Sequence, residues 1–493
     1  MSEGKENAAQ QNTAQITGRA VITGELVLES PLLIGSGEGG DDRGGDQDIH
    51  VLKDRDGRAF IPGTSLCGVL RDFLRAHETD AAQNMKQGET RVVRQLFGLL
   101  SEGQSMISID DVPLHGSGHG AQTGAAMPGI VVRDGVGIDG VTGVGVDGAK
   151  YDYEAVERGA RGPLRILVTR RLCHEKDWPE IYNNLLLLLE KMQQGISLGA
   201  ITAKGFGKVK AENVAAGFYD FHQKEDILSW LRQSDPKPEQ ASDRMARNSG
   251  KRLEVLDDCI VEAAFAFRTS VIIRDYNRKE RNSTGKKDFN AVSLKSGNRY
   301  VLPGTTLKGV LRHHAEYLLQ RMGLDDGFLE NLMGYSKDKA KKKSRFMVDE
   351  SLLDDDDTNP KNGSVHAAGQ TRIRIDRLTG GVMDTALMDS KPLWQKGNGA
   401  AFRLRFIIRK AEARDVGLAL FLLRDLWQGR VAIGGEKSVG RGTLQGLEGV
   451  VHYRGQTYHL GENGKVADEK LRKDLEGYAA ALRNGAKKEA TAK

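Results

Sequence analysis

Hydrophobic and polar positions along "GELVLESPLLIGSG", Gly24 to Gly37, follow a strand pattern that enters a polar loop, and a strand is expected over Ala20 to Leu28. A loop crowded with glycine and aspartate follows, Gly35 to Asp48, then a short hairpin over Val51 to Ile61. After Pro62 the period changes. Leu66, Val69, Leu70, Phe73 and Leu74 fall on one face at helical spacing, with Thr64 placed as N-cap. A glycine-rich excursion runs from Gly129 to Gly148, and "LRILVTR" at Leu164 returns to strand alternation. Pro179 to Gln194 predicts a second helix, with Ile181, Leu185, Leu188 and Met192 on one stripe. It leads into a glycine-rich turn, Gly199 to Gly207, and a last strand. The skeleton is βαββαβ, which predicts an α+β fold of the ferredoxin-like, RRM-like kind, with two helices on one face of a sheet.

The same pattern then recurs. "FIPGTSLCGVL" at Phe60 returns as "VLPGTTLKGVL" at Val301, with Pro62 and Pro303 241 residues apart. "IDGVTG" (Ile138 to Gly143) returns as "IDRLTG" (Ile375 to Gly380), and "LRILVTR" as "FRLRFIIR" (Phe402 to Arg409). "ISLGAITAKGFGKVK" (Ile196 to Lys210) faces "VAIGGEKSVGRGTLQ" (Val431 to Gln445), and the offset drifts only to 235. Segments that keep their order at nearly constant spacing mark a tandem duplication. The expected domains are residues 16–217 and 258–453. Residues 1–15 read as a disordered tail, 218–257 as a polar linker, and 454–493 as a closing helix with a charged tail.

Composition adds bounds. The chain has 493 residues, too many for one ordinary core, and its all-leucine run, Leu185 to Leu189, is far short of a membrane span, so none is expected. Its polar start carries no secretory pattern, and Cys67, Cys173 and Cys259 lie far apart, which fits a reducing cytoplasm. The net charge of +5 leans toward polyanions without deciding the matter. Sixty glycines are close to twice the usual share of about 7%.

Many of those glycines sit in the two helix-to-strand turns. Gly199, Gly205 and Gly207 mark the first, and Gly434, Gly435, Gly440 and Gly442 the second. A turn without side chains lets backbone N–H groups approach phosphates, and Lys204, Lys208, Lys437 and Arg441 add positive charge. The plainer alternative is that these glycines only make tight turns. A nucleotide-binding P-loop is disfavoured, because neither copy ends in GK[ST]. No HExxH or GxSxG occurs, and neither turn contains a histidine.

The strand, the Gly/Asp loop, "PGTSLxGVLR", "IDRxTG" and "GGEKSVGRG" together resemble the RAMP superfamily of CRISPR-associated proteins. The chain looks like two Cas-seven backbone subunits of a type III effector complex fused in tandem, most similar to type III-D systems. The resemblance implies a thumb β-hairpin inserted in each half, at Gly129 to Asp147 and at Gln370 to Leu393. In relatives this hairpin folds over the guide RNA and wedges it. Arg133 in the first copy, and Arg372, Arg374 and Arg377 in the second, would then contact phosphates; a solvated hairpin is the alternative. The implied partners are guide crRNA, complementary target RNA and other type III subunits, including a polymerase-like large subunit.

The resemblance also implies a target-RNA endonuclease that needs one loop aspartate and a divalent metal, Mg²⁺ or Mn²⁺. Alignment places Asp48 at that position, with Asp41, Asp42 and Asp46 close by. In the second half strict alignment lands on Asn290, two residues after Asp288, so Asp288 is the candidate there. A turn-capping role is the alternative for either aspartate. A non-catalytic RNA-binding scaffold remains the competing function, and a stand-alone enzyme of nucleotide metabolism a third.

Overall fold

The structure is a computed structural model that describes residues 14–39, 48–81, 91–98, 103–116, 127–140, 142–234, 257–281, 288–324, 326–337, 340–355 and 363–491. These fall into two compact units. Unit 1 draws on 1–131, 154–200 and 207–255; unit 2 draws on 132–153, 201–206 and 256–493. Unit 2 therefore incorporates two segments from the first sequence repeat.

In unit 1, strand β1 (Ile16–Leu28) lies at the centre of an antiparallel sheet with β2 (Ile107–Ile109), β5 (Arg161–Arg171), β6 (Ile196–Ser197) and β7 (Lys208–Asp220). The order across the sheet is β6-β7-β1-β5-β2. Helix α1 (Gly63–Ala81) connects β1 toward β2, and α2 (Trp178–Gln194) connects β5 to β6. Leu66, Leu70 and Leu74, spaced by four, are fully buried along α1, and Ile181, Leu185, Leu188 and Met192 along α2. Each such side chain contributes roughly 1.5–3 kcal/mol on burial.

Helix α1 does not begin as the sequence suggests. It starts at Gly63, which places Thr64 inside the first turn with its side chain exposed. The Gly63 N–H donates instead to Asp111 Oδ1 at 2.8 Å, so an aspartate 48 residues away supplies the cap. A methyl group on Gly63 would lie 2.0 Å from the Ile109 carbonyl oxygen. The repeated Pro-Gly-Thr is thus partly a packing requirement: its glycine admits another backbone.

Unit 2 repeats the sheet, in the order β9-β12-β8-β13-β14, with β8 (Cys259–Phe267) central between β12 (Phe402–Ile408) and β13 (Leu444–Tyr453). The outer strands are β9 (Phe346–Val348) and β14 (Gln456–Leu460). Helix α4 (Gly304–Met322) precedes β9, and α5 (Ala413–Trp427) joins β12 toward β13. Phe265 stacks on Phe402 at 5.6 Å and meets Trp427 edge-on at 5.9 Å, at the heart of this core. The closing helix α6 (Glu469–Thr491) covers α5; a methyl on Gly417 would sit 2.3 Å from the Tyr478 carbonyl oxygen, so glycine permits that approach.

The expected linker begins late. Strand β7 continues to Asp220, and a short helix, α3 (Lys224–Leu231), follows it, its exposed Ile227, Leu228 and Leu231 giving little apolar periodicity to read. The rest of that stretch, 235–256, lies outside the described residues, as do 1–13 of the N-terminal tail, Asp41, Asp42, Asp46, and the last two residues. The first excursion forms a hairpin of β3 (Ile130–Ile138) and β4 (Gly145–Val156), and the second is closed by β10 (Gln370–Arg372) pairing antiparallel with β11 (Met388–Lys391). Among the described residues no helix is long and apolar enough to cross a membrane.

Candidate nucleic-acid interface

The two glycine-rich turns share one backbone shape. Ile201 and Glu436 are both left-handed, at φ 57° and 58°, each followed by a 3₁₀ turn, Thr202–Lys204 and Lys437–Val439. Gly205 and Gly440 close them at φ 89° and 86°. A β-branched residue such as Ile201 in this region costs on the order of 1–3 kcal/mol, which the surrounding packing must offset.

The glycines themselves answer mostly to close backbone contacts. Methyl groups on Gly199 and Gly207 would lie 2.3 and 1.8 Å from the carbonyl oxygens of Leu33 and Leu198; on Gly434 and Gly442, 2.5 and 2.1 Å from those of Ile272 and Ile433. The amides of Gly205, Gly207, Gly435, Gly440 and Gly442 donate to carbonyls of the turn or of neighbouring segments. These N–H groups shape the turn and do not point outward as an anion cradle.

The positive side chains divide into two groups. Arg441 is buried: its Nε donates to Glu436 Oε2 at 2.9 Å, its Nη1 to Ser270 Oγ at 2.7 Å, and its Nη2 to Gln370 and Ser390. Arg372 and Arg274 pair with the same Glu436 carboxylate. Burial pushes the Glu436 carboxyl up, but hydrogen bonds and charge from the three arginines outweigh it and hold the group below the usual range. Three guanidinium groups on one carboxylate leave an excess of positive charge. Arg372 and Arg274 are half-exposed around it, and Lys437, Arg374 and Arg377 are exposed on the flanking segments. Arg274 escaped the sequence reading; its only signal was its place where an apolar strand pattern enters a polar loop. The Glu436 hub was equally hidden inside the quoted motif.

In the first repeat the cations are differently used. Lys204 and Lys208 are half-buried beside their turn. Arg133, on β3, is only 5% exposed, and among the described residues none of its three guanidinium nitrogens has a hydrogen-bond partner. Burial pushes the nearby Tyr153 hydroxyl far above the ordinary tyrosine range; Tyr151 and Glu350 add to the shift, and the positive Arg133 opposes it. Lys308, on α4, is also buried and was not singled out from sequence. Its Nζ donates to Ser344 Oγ at 2.7 Å and to the Phe346 carbonyl at 2.8 Å. Burial first, then the charges of Lys204 and Arg312, push its ammonium down to about 7.

Asp48 is exposed, immediately before the strand Ile49–Val51, where Glu154 is held by the Val51 N–H at 3.0 Å and Lys53 Nζ at 3.3 Å. Asp288 is exposed and bridges to Arg281 in antiparallel pairing. Asn290, the strictly aligned position, is tied into the sheet: its Oδ1 accepts from the Asp389 N–H at 2.7 Å. Among the described residues no three His, Cys, Asp or Glu side chains gather as a metal site. Asp48 and Asp288 each present a carboxylate, the hard oxygen donor that Mg²⁺ takes together with phosphate and water.

Compared with known proteins, the chain matches no curated protein, while the family model described as "RAMP superfamily" matches it twice, over residues 25–210 and 264–445. The two matched stretches cover both repeats and most of the sequence, and the chain belongs to the RAMP superfamily.

Proposed function

We propose that this protein is a backbone subunit of a type III CRISPR ribonucleoprotein, most similar to type III-D, that holds guide crRNA and cleaves complementary target RNA in the cytoplasm. Proteins of its superfamily act in CRISPR complexes with RNA and other subunits. The observation that carries the reading is the tandem family match at 25–210 and 264–445. The strand order of each sheet, with the first strand between the third and the fourth and a helix in each crossover, supports two ferredoxin-like modules. The antiparallel pairings of β3 with β4 and of β10 with β11, in the two excursions read as thumbs, support the same reading. The arginine excess around Glu436, with Lys437 and Arg374, offers a polyanion a sequence-independent surface.

For cleavage, Asp48 and Asp288 would each lend one carboxylate oxygen beside the scissile phosphate. A bound Mg²⁺ or Mn²⁺ would supply charge neutralisation at the phosphate. The neighbouring 2′-oxygen attacks phosphorus, the P–O5′ bond breaks, and the products carry a 2′,3′-cyclic phosphate and a 5′-hydroxyl. The exposed loop positions of both aspartates suit turn residues equally well, which favours one competing reading, a non-catalytic RNA scaffold. The two part when the complex is assembled with Asp48→Ala or Asp288→Ala, given complementary RNA and Mg²⁺, and the cuts are mapped. Loss of one defined cut per substitution supports the nuclease; an unchanged ladder leaves the scaffold.

A further inference from the structure

One carboxylate in unit 2 draws cations from separate segments of the chain. Glu436 Oε1 accepts from Arg274 Nη2 at 3.3 Å, and its Oε2 accepts from Arg372 Nη2 and from Arg441 Nε, the latter at 2.9 Å. Arg274 stands on the short strand Arg274–Asp275, Arg372 at the end of β10, and Arg441 beside the glycine-rich turn. Arg441 is anchored without the carboxylate, by Ser270, Gln370 and Ser390. Arg274 and Arg372 are not. Among the described residues each spends one N–H, on Glu436, of the several a guanidinium carries. Their side chains keep 36% and 26% exposure, while that of Glu436 keeps 12%.

The first repeat keeps this backbone and none of the charges. Ile201, at φ 57°, takes the place of Glu436, at φ 58°, and Phe206 takes the place of Arg441. Gly199 and Gly434 fix the register of the neighbouring segment. Methyls on them would meet the carbonyls of Leu33 and Ile272, and next the side chains of Ile34 and Ile273. Arg274 therefore answers to Gly35. Counted back from "IDGVTG" and "IDRLTG", Arg372 answers to Gly135. Every member of the cluster is charged in one repeat and uncharged in the other, at positions far apart in the sequence. A single device requires such joint presence or absence; unrelated surface charges do not.

We infer that Glu436 is a positioning residue for RNA binding: it holds Arg274 and Arg372 side by side as a fork for one backbone phosphate and does not itself touch the RNA. The inference deepens the proposed function and rests on it for the ligand. Left alone, the two guanidinium groups would separate, because like charges repel and each side chain gains rotamer freedom in water. A carboxylate between them cancels that repulsion and restrains both, while their unspent N–H groups stay available. A guanidinium meets phosphate with two parallel bonds, so a restrained pair binds with less ordering left to do. The sign of the effect separates this role from simple electrostatics. A glutamate that merely stood near a polyanion would oppose binding, and neutralising it would tighten the complex. A positioning glutamate gives the opposite result.

The test uses the full chain and labelled single-stranded RNA of mixed sequence, titrated over a salt series. Glu436→Gln should weaken binding about tenfold and lower the log–log salt slope by about 0.7, the share of one phosphate contact on a single strand. Arg274→Ala combined with Arg372→Ala should cost the wild type as much, yet change the Glu436→Gln protein less than about twofold, because groups that act as a unit do not add. Loss of folded protein alone would instead give losses that multiply. Unchanged or tighter binding by Glu436→Gln, or losses that multiply across the cycle, overturns the positioning role and leaves the proposed function intact. The same cycle read with inorganic pyrophosphate separates the two claims from the other side. Coupled losses for pyrophosphate in a chain that ignores RNA count against the proposed function and leave the fork standing; a wild type that binds neither overturns both.

Discussion

Gly205 and Gly440 form a matched pair for measuring what close packing is worth. Both have nearly the same backbone angles, φ 89° and 86°, so replacing either by alanine incurs the same left-handed penalty of about 1 kcal/mol. Among the described residues the new methyl meets backbone only at Gly205, with Glu350 N at 2.3 Å, Asp349 C at 2.9 Å and Val348 O at 3.0 Å. Backbone atoms cannot rotate away as a side chain does, so overpacking adds about 1–3 kcal/mol. Gly440→Ala should therefore lower stability by about 1 kcal/mol, and Gly205→Ala by about 2–4 kcal/mol. For a unit of this size each kcal/mol moves the midpoint by about 2–4 °C. Scanning calorimetry of the full chain, which separates transitions of different units, reads the difference directly. Equal losses in the two variants would refute the reasoning, because the steric term would then be absent.

Two further outcomes are expected. Arg441→Ala removes a buried guanidinium and should destabilise unit 2 by about 3 kcal/mol, whereas Lys437→Ala should leave stability within about 0.5 kcal/mol. In RNA titrations against salt, Lys437→Ala should instead weaken binding and lower the log–log slope by about one. Lys308 should make stability depend on pH: its folded value of about 7 lies below the free-lysine value of about 10.4, so the unfolded chain binds more protons between the two. Stability is then fullest above about pH 10 and falls as pH drops toward 7. Denaturant midpoints at pH 7 and 9.5 should rise for wild type and stay level for Lys308→Met.

What could be read in the sequence was what repeats or alternates locally. The leucines of α1 at spacing four, the stripe along α2, and the paired "IDGVTG" and "IDRLTG" tips all reappear where their periodicity places them. What escaped depends on partners far along the chain. The cap of α1 comes from Asp111 and not Thr64, a choice no local motif records. Arg441 looked like a phosphate ligand by type and position, but Glu436, Ser270 and Ser390 converge on it only after folding. Burial of Lys308 and Arg133 was hidden for the same reason, since an amphipathic pattern does not announce a cation in its apolar face. The loop aspartates became candidates only through the family resemblance, since no local pattern of their own marks them.

The exchange of 132–153 and 201–206 into unit 2 has an evolutionary corollary. No single cut in the gene divides this chain into two complete pieces. A break between the repeats would leave the second piece without a hairpin and a turn that pack within its unit, at Gly205 and Gly304 above all. Separate inheritance of the two halves would therefore require a replacement for those contacts.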